Sequence, residues 1–190
     1  QLIKKFSQYD IDGYIVPKND EFFSEYAVID RLKTISNFSG SAGLAVISRK
    51  INYLFVDGRY TIQAQLQSGK LFKIIKIHKF LPHKILKNLT LGFDPSLLTR
   101  KQLYGYFGKS LILKQINNNL IDEIYKEKNT KTKKFFSLQN KIAGENFKSK
   151  INKIRNILKL NKADYLFISA PENVAWTLNI RGSDNPNSPI

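Results

Sequence analysis

Residues 44–56 read LAVISRKINYLFV, which is two apolar runs separated by a short, more polar stretch. The runs 44–48 and 52–56 are rich in the aliphatic, β-branched and aromatic residues that strands favour. The three residues between them are few enough to join two neighbouring antiparallel strands. This stretch therefore predicts a β-hairpin.

On both sides of the hairpin, short apolar runs alternate with stretches of helical periodicity. Residues 13–17 (GYIVP) are typical of a buried strand stopped by proline. Asp57 stands where a helix N-cap belongs, and the helix predicted from about Arg59 ends at Gly69. Further strands are predicted at 72–77, 91–93 and 111–113, and further helices near the N-terminus and at 78–88, 98–107 and 120–125. This alternation predicts an α/β sheet domain over residues 1–125.

A second α/β unit is predicted towards the end of the chain. Residues 126–141 carry many charges and little to bury, which predicts a linker. The unit at 142–190 begins with a long amphipathic helix, continues with a strand at 164–168, and opens its next helix at a capping box of Ser169 and Glu172. The order helix, polar turn, strand also occurs at the start of the chain. We therefore expect two related units in tandem, the second incomplete, with an exposed sheet edge and apolar face.

Composition excludes several classes of site. The chain has no cysteine, so neither a disulfide framework nor a thiolate metal site is possible, which suits a reducing compartment. No run approaches the roughly 18–20 uncharged apolar residues that span a bilayer, and no signal-peptide pattern is present. We therefore expect a cytoplasmic protein with no membrane partner. The chain begins at Gln1 and has no methionine, so we expect the natural start to lie upstream.

The formal net charge of +16 points first to a nucleic-acid partner. Of the 31 basic residues, however, 25 are lysines, and they are spread along the chain. Proteins that read nucleic acids cluster their charge and use arginine for bidentate contacts. We therefore interpret the excess as solvated, lysine-rich surface and expect no nucleic-acid partner.

Two histidines and a glycine-rich run resemble parts of metal and phosphate sites, but their sequence context does not favour either kind of site. His78 and His83 have no carboxylate near them in sequence, and the H-E-x-x-H pattern is missing, so we interpret them as exposed histidines. Residues 40–43 (GSAG) are not followed by the Lys-Ser/Thr pair of a phosphate loop, and a strand follows where a helix N-terminus would be required. We expect these glycines to allow close packing in a turn.

Arg59 is the strongest candidate for a binding residue. It lies just beyond the end of a predicted strand, and ligands bind at the carboxyl ends of strands in open α/β sheets. Its guanidinium could donate to a peptide carbonyl or a carboxylate, or it could form a local ion pair with Asp57, which the spacing alone favours. The same two interpretations apply to Arg181 and Asp184, where a structural turn is favoured.

Several short motifs lie along the chain, at residues 24–26 (SEY), 38–43 (FSGSAG), 56–60 (VDGRY), 92–95 (GFDP), 119–122 (NLID) and 175–184 (AWTLNIRGSD). In this order and spacing, they resemble the motifs of one family, the Xaa-Pro aminopeptidases. Each motif alone is weak, but together they run along nearly the whole chain. The linker and the second unit are similar to the longer, three-domain form of these enzymes.

The resemblance implies a creatinase/prolidase N-terminal-type α/β domain, with a mixed sheet flanked by helices, followed by the first part of a second domain of that type. It also implies that a C-terminal pita-bread domain, absent from this chain, holds two divalent metal ions, usually manganese. No cofactor or metal ligand is then expected in this chain. The resemblance also implies that Arg59 corresponds to the family's arginine that contacts the substrate. Where the family has paired arginines before Phe38, this chain has residues 30–33 (DRLK), so the contacts of that run are left open.

The resemblance further implies that the parent protein removes the residue before a proline from the N-terminus of peptides, and that this chain alone is inactive. Its partners would be a peptide with proline in second position, its own catalytic domain and a second copy in a homodimer. An alternative is a non-catalytic, chaperone-like binding protein of the same fold that uses its basic surface for acidic partners. A prolidase or creatinase is disfavoured, because those enzymes typically have one such N-terminal domain.

Overall fold

The structure is a computed structural model that describes residues 1–24, 28–108, 110–125, 133–185 and 189. Glu25 and Tyr26 of the motif at 24–26, the first part of the predicted linker, and Pro186 lie outside the described residues. The chain divides into two units, Gln1–Lys128 and Asn129–Ile190. In the described parts of both units, no helix is long and apolar enough to cross a membrane.

Six strands form one mixed sheet in the described part of the first unit. They are β1 (Gly13–Pro17), β2 (Gly43–Ser48), β3 (Tyr53–Val56), β4 (Lys73–Lys76), β5 (Thr90–Phe93) and β6 (Ile112–Gln115). Their order across the sheet is β4-β3-β2-β1-β5-β6. β2 is antiparallel to β1 and β3, and the other neighbouring pairs are parallel. The predicted hairpin is confirmed as β2–β3, with Ala45 opposite Leu54.

Helices cover both faces of this sheet, and the pleat of the strands decides which side chains they meet. They are α1 (Leu2–Lys5), α2 (Arg31–Ser36), α3 (Thr61–Ser68), α4 (Pro82–Ile85), α5 (Arg100–Phe107) and α6 (Leu120–Ile124). Successive side chains of a strand point to opposite faces. Tyr14 and Val16 therefore join a core with α1, α2, α3 and α6, whereas Ile15 joins a core with α4 and α5. The predicted α/β class is confirmed.

The helix predicted over residues 78–88 is wrong except for the single turn of α4. Leu81 is extended, Pro82 begins the helix, and Leu86 is extended again. Proline has no backbone N–H and disfavours helical backbone in the residue before it. The helix therefore begins at Pro82, and it ends after one turn at Ile85 because Leu86 is extended.

The second unit contains three helices and a two-stranded ribbon among its described residues. These are β7 (Phe136–Ser137), α7 (Asn140–Ala143), α8 (Phe147–Leu160), α9 (Pro171–Leu178) and β8 (Ile180–Arg181), with β7 antiparallel to β8. α8 is the predicted amphipathic helix. β7 and the start of α7 lie within residues 126–141, so part of the predicted linker is ordered secondary structure. The domain boundaries at 125 and 142 stay predictions.

Two local predictions in the second unit are wrong. Residues 164–168 form no strand: residues 164–169 make no backbone hydrogen bond to any described residue, and Tyr165 and Phe167 are 92% and 90% exposed. A strand forms only where a neighbouring strand satisfies its backbone groups, and no described residue does so here. Ala170 occupies the N-cap position of α9 without a side-chain hydrogen bond, and the helix begins at Pro171 without a capping box, since proline at the first helical position is already set for a helix.

The similarity between the two units also appears in their backbone conformation. α2 and α9 each end at an asparagine with left-handed backbone, Asn37 and Asn179. In both places an apolar residue, one further residue and Gly-Ser follow, at 37–41 (NFSGS) and 179–183 (NIRGS). The two units therefore share the turn that follows α2 in the first and α9 in the second.

Candidate functional site

One edge of the first unit's sheet carries most of the candidate residues. β1, β3, β4, β5 and β6 run in the same direction, and β2 runs in the opposite one. The carboxyl ends of five strands and the start of β2 therefore share this edge, where Asp57 follows β3 and residues 40–42 precede β2. Ligands bind at such edges in open α/β sheets. We take this edge as the candidate site.

Asp57 and Arg59 form a local ion pair at this edge. Asp57 caps the 3-10 turn Gly58–Tyr60, which precedes α3, by accepting the backbone N–H of Arg59 at 2.8 Å. The Arg59 guanidinium donates to Oδ2 of Asp57 from Nη2 at 2.6 Å and from Nε at 3.1 Å. The hydrogen bond from Arg59 holds the pKa of Asp57 below its ordinary value. The ion pair that the spacing favoured is therefore present.

The Arg59 side chain nevertheless remains accessible. It is 74% exposed, against 31% for Asp57. Its guanidinium carbon lies 5.3 Å from the ring centre of Tyr60, within the range of a cation–π contact. Asp57 and Tyr60 thus restrain the guanidinium while most of the side chain faces solvent. A guanidinium has five donors, so such an arginine can also donate to a carbonyl or carboxylate oxygen of a ligand.

The loop before β2 holds Tyr60 and α3 in place. Ser41 Oγ lies 2.8 Å from the hydroxyl of Tyr60. Ser39 Oγ accepts hydrogen bonds from Nε2 of Gln63 and of Gln67, both at 2.9 Å. Because Tyr60 also contacts Arg59, this loop indirectly positions the guanidinium.

Gly40 fits this loop only because it has no side chain. A Cβ at this position would lie 2.3 Å from Cζ of Phe38 and 2.9 Å from Cδ1 of Tyr60. Real side chains do not approach one another so closely, and both rings belong to the packed interior. The prediction that residues 40–43 serve close packing is confirmed at Gly40.

We expect Gly40→Ala to lower the free energy of unfolding of the first unit by about 1–3 kcal/mol, the usual range for overpacking. The matched control is Gly105→Ala in α5, where a Cβ would meet nothing within 4 Å. That change should be neutral or stabilising by up to about 1 kcal/mol, since alanine favours a helix over glycine. Urea denaturation of both variants measures the difference, and equal stabilities would contradict the close contact at Gly40.

Two of the family-like motifs meet inside the first unit. Asn119 donates from Nδ2 to Oδ2 of Asp94 at 2.9 Å, and both side chains are buried. The other oxygens accept backbone N–H groups at 2.9 Å, Asp94 Oδ1 from Ser96 and Asn119 Oδ1 from Ile121. The pair ties the loop after β5 to the start of α6. Its role is structural, and sequence reasoning missed it because the partners are 25 positions apart.

The run at residues 30–33, whose contacts the sequence left open, supplies a buried ion pair. Arg31 donates from Nε and Nη2 to the two carboxylate oxygens of Asp122, and from Nη2 to Glu21, each at 2.8 Å. Burial by itself would lower the pKa of Arg31, but the hydrogen bonds that Arg31 donates to Asp122 and Glu21 more than offset this and hold the pKa above its ordinary value. Arg31 therefore stays charged and joins α2 to α6.

The histidines lie apart from any metal-ligand set in the described residues. His78 is exposed, while His83 is partly buried with Nδ1 3.1 Å from the backbone oxygen of Tyr106. Across the described ranges, no three His, Cys, Asp or Glu side chains come together as metal ligands would. These residues therefore do not fit a metal pair.

Arg181 and Asp184 make separate contacts in the second unit. Arg181 Nη1 donates to the backbone oxygens of Ala175 at 3.1 Å and Ile180 at 2.7 Å, at the end of α9. Asp184 accepts the backbone N–H of Lys133 at 2.7 Å. These bonds favour the structural interpretation of this turn, although the role of the two residues stays a prediction.

Family models match the chain in two places. The model described as the creatinase/prolidase N-terminal domain matches residues 1–112, which is more than half of the chain. The chain belongs to the creatinase/prolidase N-terminal domain family. A second model with the same description matches residues 126–190. The two matches in tandem agree with the repeated turn after α2 and α9.

Relatives along the whole chain are Xaa-Pro aminopeptidases. A probable Xaa-Pro aminopeptidase P from Laccaria bicolor is 32% identical over 100% of this chain, and Xaa-Pro aminopeptidase 1 from Dictyostelium discoideum is 32% identical over 95% of it. The chain spans 32% of the length of each. The predicted resemblance is confirmed.

One solved structure extends this likeness to the fold. It is the X-prolyl aminopeptidase from Caenorhabditis elegans, described as a cytosolic enzyme with a di-nuclear active site. It is 28% identical, with a TM-score of 0.82, over 100% of this chain and 35% of its own. The predicted mixed sheet flanked by helices is thus also the fold of a related enzyme.

Proposed function

We propose that this chain is the N-terminal, substrate-side part of a metal-dependent Xaa-Pro aminopeptidase, which removes the residue before proline from the N-terminus of peptides. The observation that carries this proposal is the exposed Arg59, restrained by Asp57 and Tyr60 at the carboxyl edge of the sheet. Similarity to Xaa-Pro aminopeptidases along the chain supports it. The chain would shape access to the site and leave the cleavage to a catalytic domain of the same polypeptide.

Arg59 would contact the peptide. Asp57 compensates the charge of Arg59 and orients the guanidinium, and a peptide carbonyl or carboxylate oxygen could replace water on its exposed surface. A restrained arginine loses less side-chain entropy on binding than a free one. Arg59 would therefore bind a peptide at the entrance to the site with a smaller loss of entropy.

The two divalent metal ions, manganese by family resemblance, would be held outside this chain, because its described residues do not fit them. Their chemistry would be the activation of a water molecule. We also propose a cytoplasmic location and a homodimer for the full-length protein. The 190-residue chain alone should then leave a peptide such as Arg-Pro-Pro intact even with added manganese, and cleavage would contradict this division of labour.

In the longer polypeptide that includes the catalytic domain, we expect Arg59→Ala to lower kcat/KM by about 10–100-fold. This corresponds to the roughly 1.5–3 kcal/mol of a hydrogen bond to a charged group. Arg59→Lys should recover only part of the loss, because lysine lacks the planar fork. Arg49→Ala is the matched control, since this exposed arginine lies in the β2–β3 turn at the opposite edge. Unchanged kinetics of Arg59→Ala would remove Arg59 from the site.

The alternative is a non-catalytic binding protein with acidic partners, favoured by the net charge of +16. It predicts binding of the chain to nucleic acid or acidic protein that weakens steeply with salt. A longer sequence without Asp, His and Glu metal ligands would also favour it. Peptidase activity of the longer polypeptide, lost on metal removal, would exclude it.

A further inference from the structure

A cavity of about 220 Å³ lies between the strand ends and α5, next to the Asp57–Arg59 pair. One part of its wall is apolar and includes Leu44, Phe55 and Leu98. The other part is polar and includes Asn19, Asp57, Gln102 and Tyr106. Pockets for small molecules commonly combine an apolar lining with a few polar groups that fix orientation.

Three polar atoms of these lining residues have no hydrogen-bond partner among the described residues. Asn19 donates from Nδ2 to the backbone oxygen of Leu97 at 2.8 Å, but its Oδ1 accepts no bond. Gln102 uses Oε1 in the capping box with Thr99 at the start of α5, so its Nε2 has no partner. The Tyr106 hydroxyl has none either. The residues that line the cavity thus include an amide acceptor, an amide donor and a hydroxyl without a partner among the described residues.

The electrostatics of the wall favour an uncharged ligand. Among the described lining residues, Asp57 is the one ionisable carboxylate, and Arg59 compensates its charge. A charged group inside the cavity would therefore lack a partner, which is costly. The volume also exceeds the roughly 150 Å³ of an apolar cavity that binds benzene. A side chain of the size of leucine or phenylalanine would fit.

We propose that this cavity binds the bulky, uncharged side chain of a peptide residue. Asn19 Oδ1 would accept the backbone N–H of that residue, and Gln102 Nε2 would donate to its carbonyl. That this residue belongs to a substrate rests on the proposed function. Because one residue precedes the cleaved bond and the metal ligands would lie elsewhere, the residue held here would be one that follows the proline.

The first test measures binding to the 190-residue chain, independently of any peptidase activity. Amide-correlated NMR spectra are recorded with N-acetyl-phenylalaninamide, N-acetyl-leucinamide and N-acetyl-glycinamide. We expect shifts at Asn19, Gln102 and Tyr106 with the first two probes, and at least tenfold weaker binding of the glycine probe. Equal binding of all three probes, or shifts confined to other surfaces, would overturn the proposal.

Gln102→Glu tests the cavity without removing the cap of α5, because glutamate also serves at this position of a capping box. It replaces the Nε2 donor by a carboxylate oxygen and adds an uncompensated charge. We expect at least tenfold weaker binding of the phenylalanine probe. Gln115→Glu, on the exposed edge strand β6, adds the same charge away from the cavity and should bind as the unmodified chain does. Unaltered binding by Gln102→Glu would overturn the proposal.

The second test uses the longer polypeptide and compares kcat/KM for peptides with phenylalanine or glycine after the proline. We expect a preference for phenylalanine that falls at least tenfold in Gln102→Glu. If the probe binds but no peptide is cleaved, the proposed function fails and the binding site stands. If Arg59→Ala lowers turnover but the probe does not bind, the binding site fails and the proposed function stands.

Discussion

Replacing Phe38 by alanine is expected to lower the free energy of unfolding of the first unit by about 3–5 kcal/mol, the range found for buried aromatic residues. Phe38 is fully buried and belongs to the core that α2 and α3 form with the sheet. Its ring meets Tyr60 edge to face, with centroids 5.8 Å apart. The glycines on either side of the loop, Gly40 and Gly43, pack directly against the same ring. Alanine would leave a cavity that the closely packed residues around the ring cannot fill.

Native-state hydrogen exchange of the amides in β1, β2 and β3 measures the loss. Phe38→Leu, which keeps most of the volume, should lose less stability. Phe80→Ala is the control, because Phe80 is 55% exposed, and its effect should stay within about 0.5–1 kcal/mol. A Phe38→Ala loss no larger than that of the control would show that this ring is not a core residue. Tyr60 would also lose its packing partner.

Arg31→Ala is expected to lower the free energy of unfolding by about 3 kcal/mol. Removing one partner of a buried ion pair typically costs roughly 3–5 kcal/mol. The lower end applies because water can reach the carboxylates that remain: the side chains of Asp122 and Glu21 are 41% and 47% exposed, whereas Arg31 is 5% exposed. The ion pair joins α2 to α6, so exchange protection should fall first in these helices.

Two further variants separate charge from geometry at this position. Arg31→Lys keeps the charge but cannot bind Asp122 through two parallel hydrogen bonds, so we expect it to recover less than half of the loss. Lys33→Ala removes an exposed charge from the same helix and should change stability by less than about 0.5 kcal/mol. Full recovery by lysine would mean that net charge, not the bidentate pair, stabilises this contact.

Most of the first unit could be predicted from local patterns. The hairpin at 44–56, the strand at 13–17 and the cap at Asp57 depend on residues close together in sequence, so periodicity and turn composition were sufficient. The helix predicted over 78–88 is wrong because Pro82 restricts the backbone of the residue before it and Leu86 is extended. The contact of Asp94 with Asn119 could not be predicted, because nothing local pairs residues so far apart.

The candidate site, too, could be predicted from the sequence only in part. The sequence alone indicated Arg59, the edge of the sheet on which it lies, and the family to which the chain belongs. It did not indicate that Tyr60 and Ser41 restrain this arginine, nor that Asn19 and Gln102 line a cavity beside it. Those features bring together β1, β3 and α5, whose relative positions follow from the strand order.

By itself, the sequence determined most of the secondary structure of the first unit, its α/β class and its family, because each of these follows from residue types at short spacing. Tertiary structure decided which of the predicted strands form. Residues 13–17 and 164–168 have similar patterns, yet β1 is buried between two strands while the second segment stays exposed. The physical reason is that a strand owes its stability to hydrogen bonds and packing from its neighbours, which its own residues cannot supply.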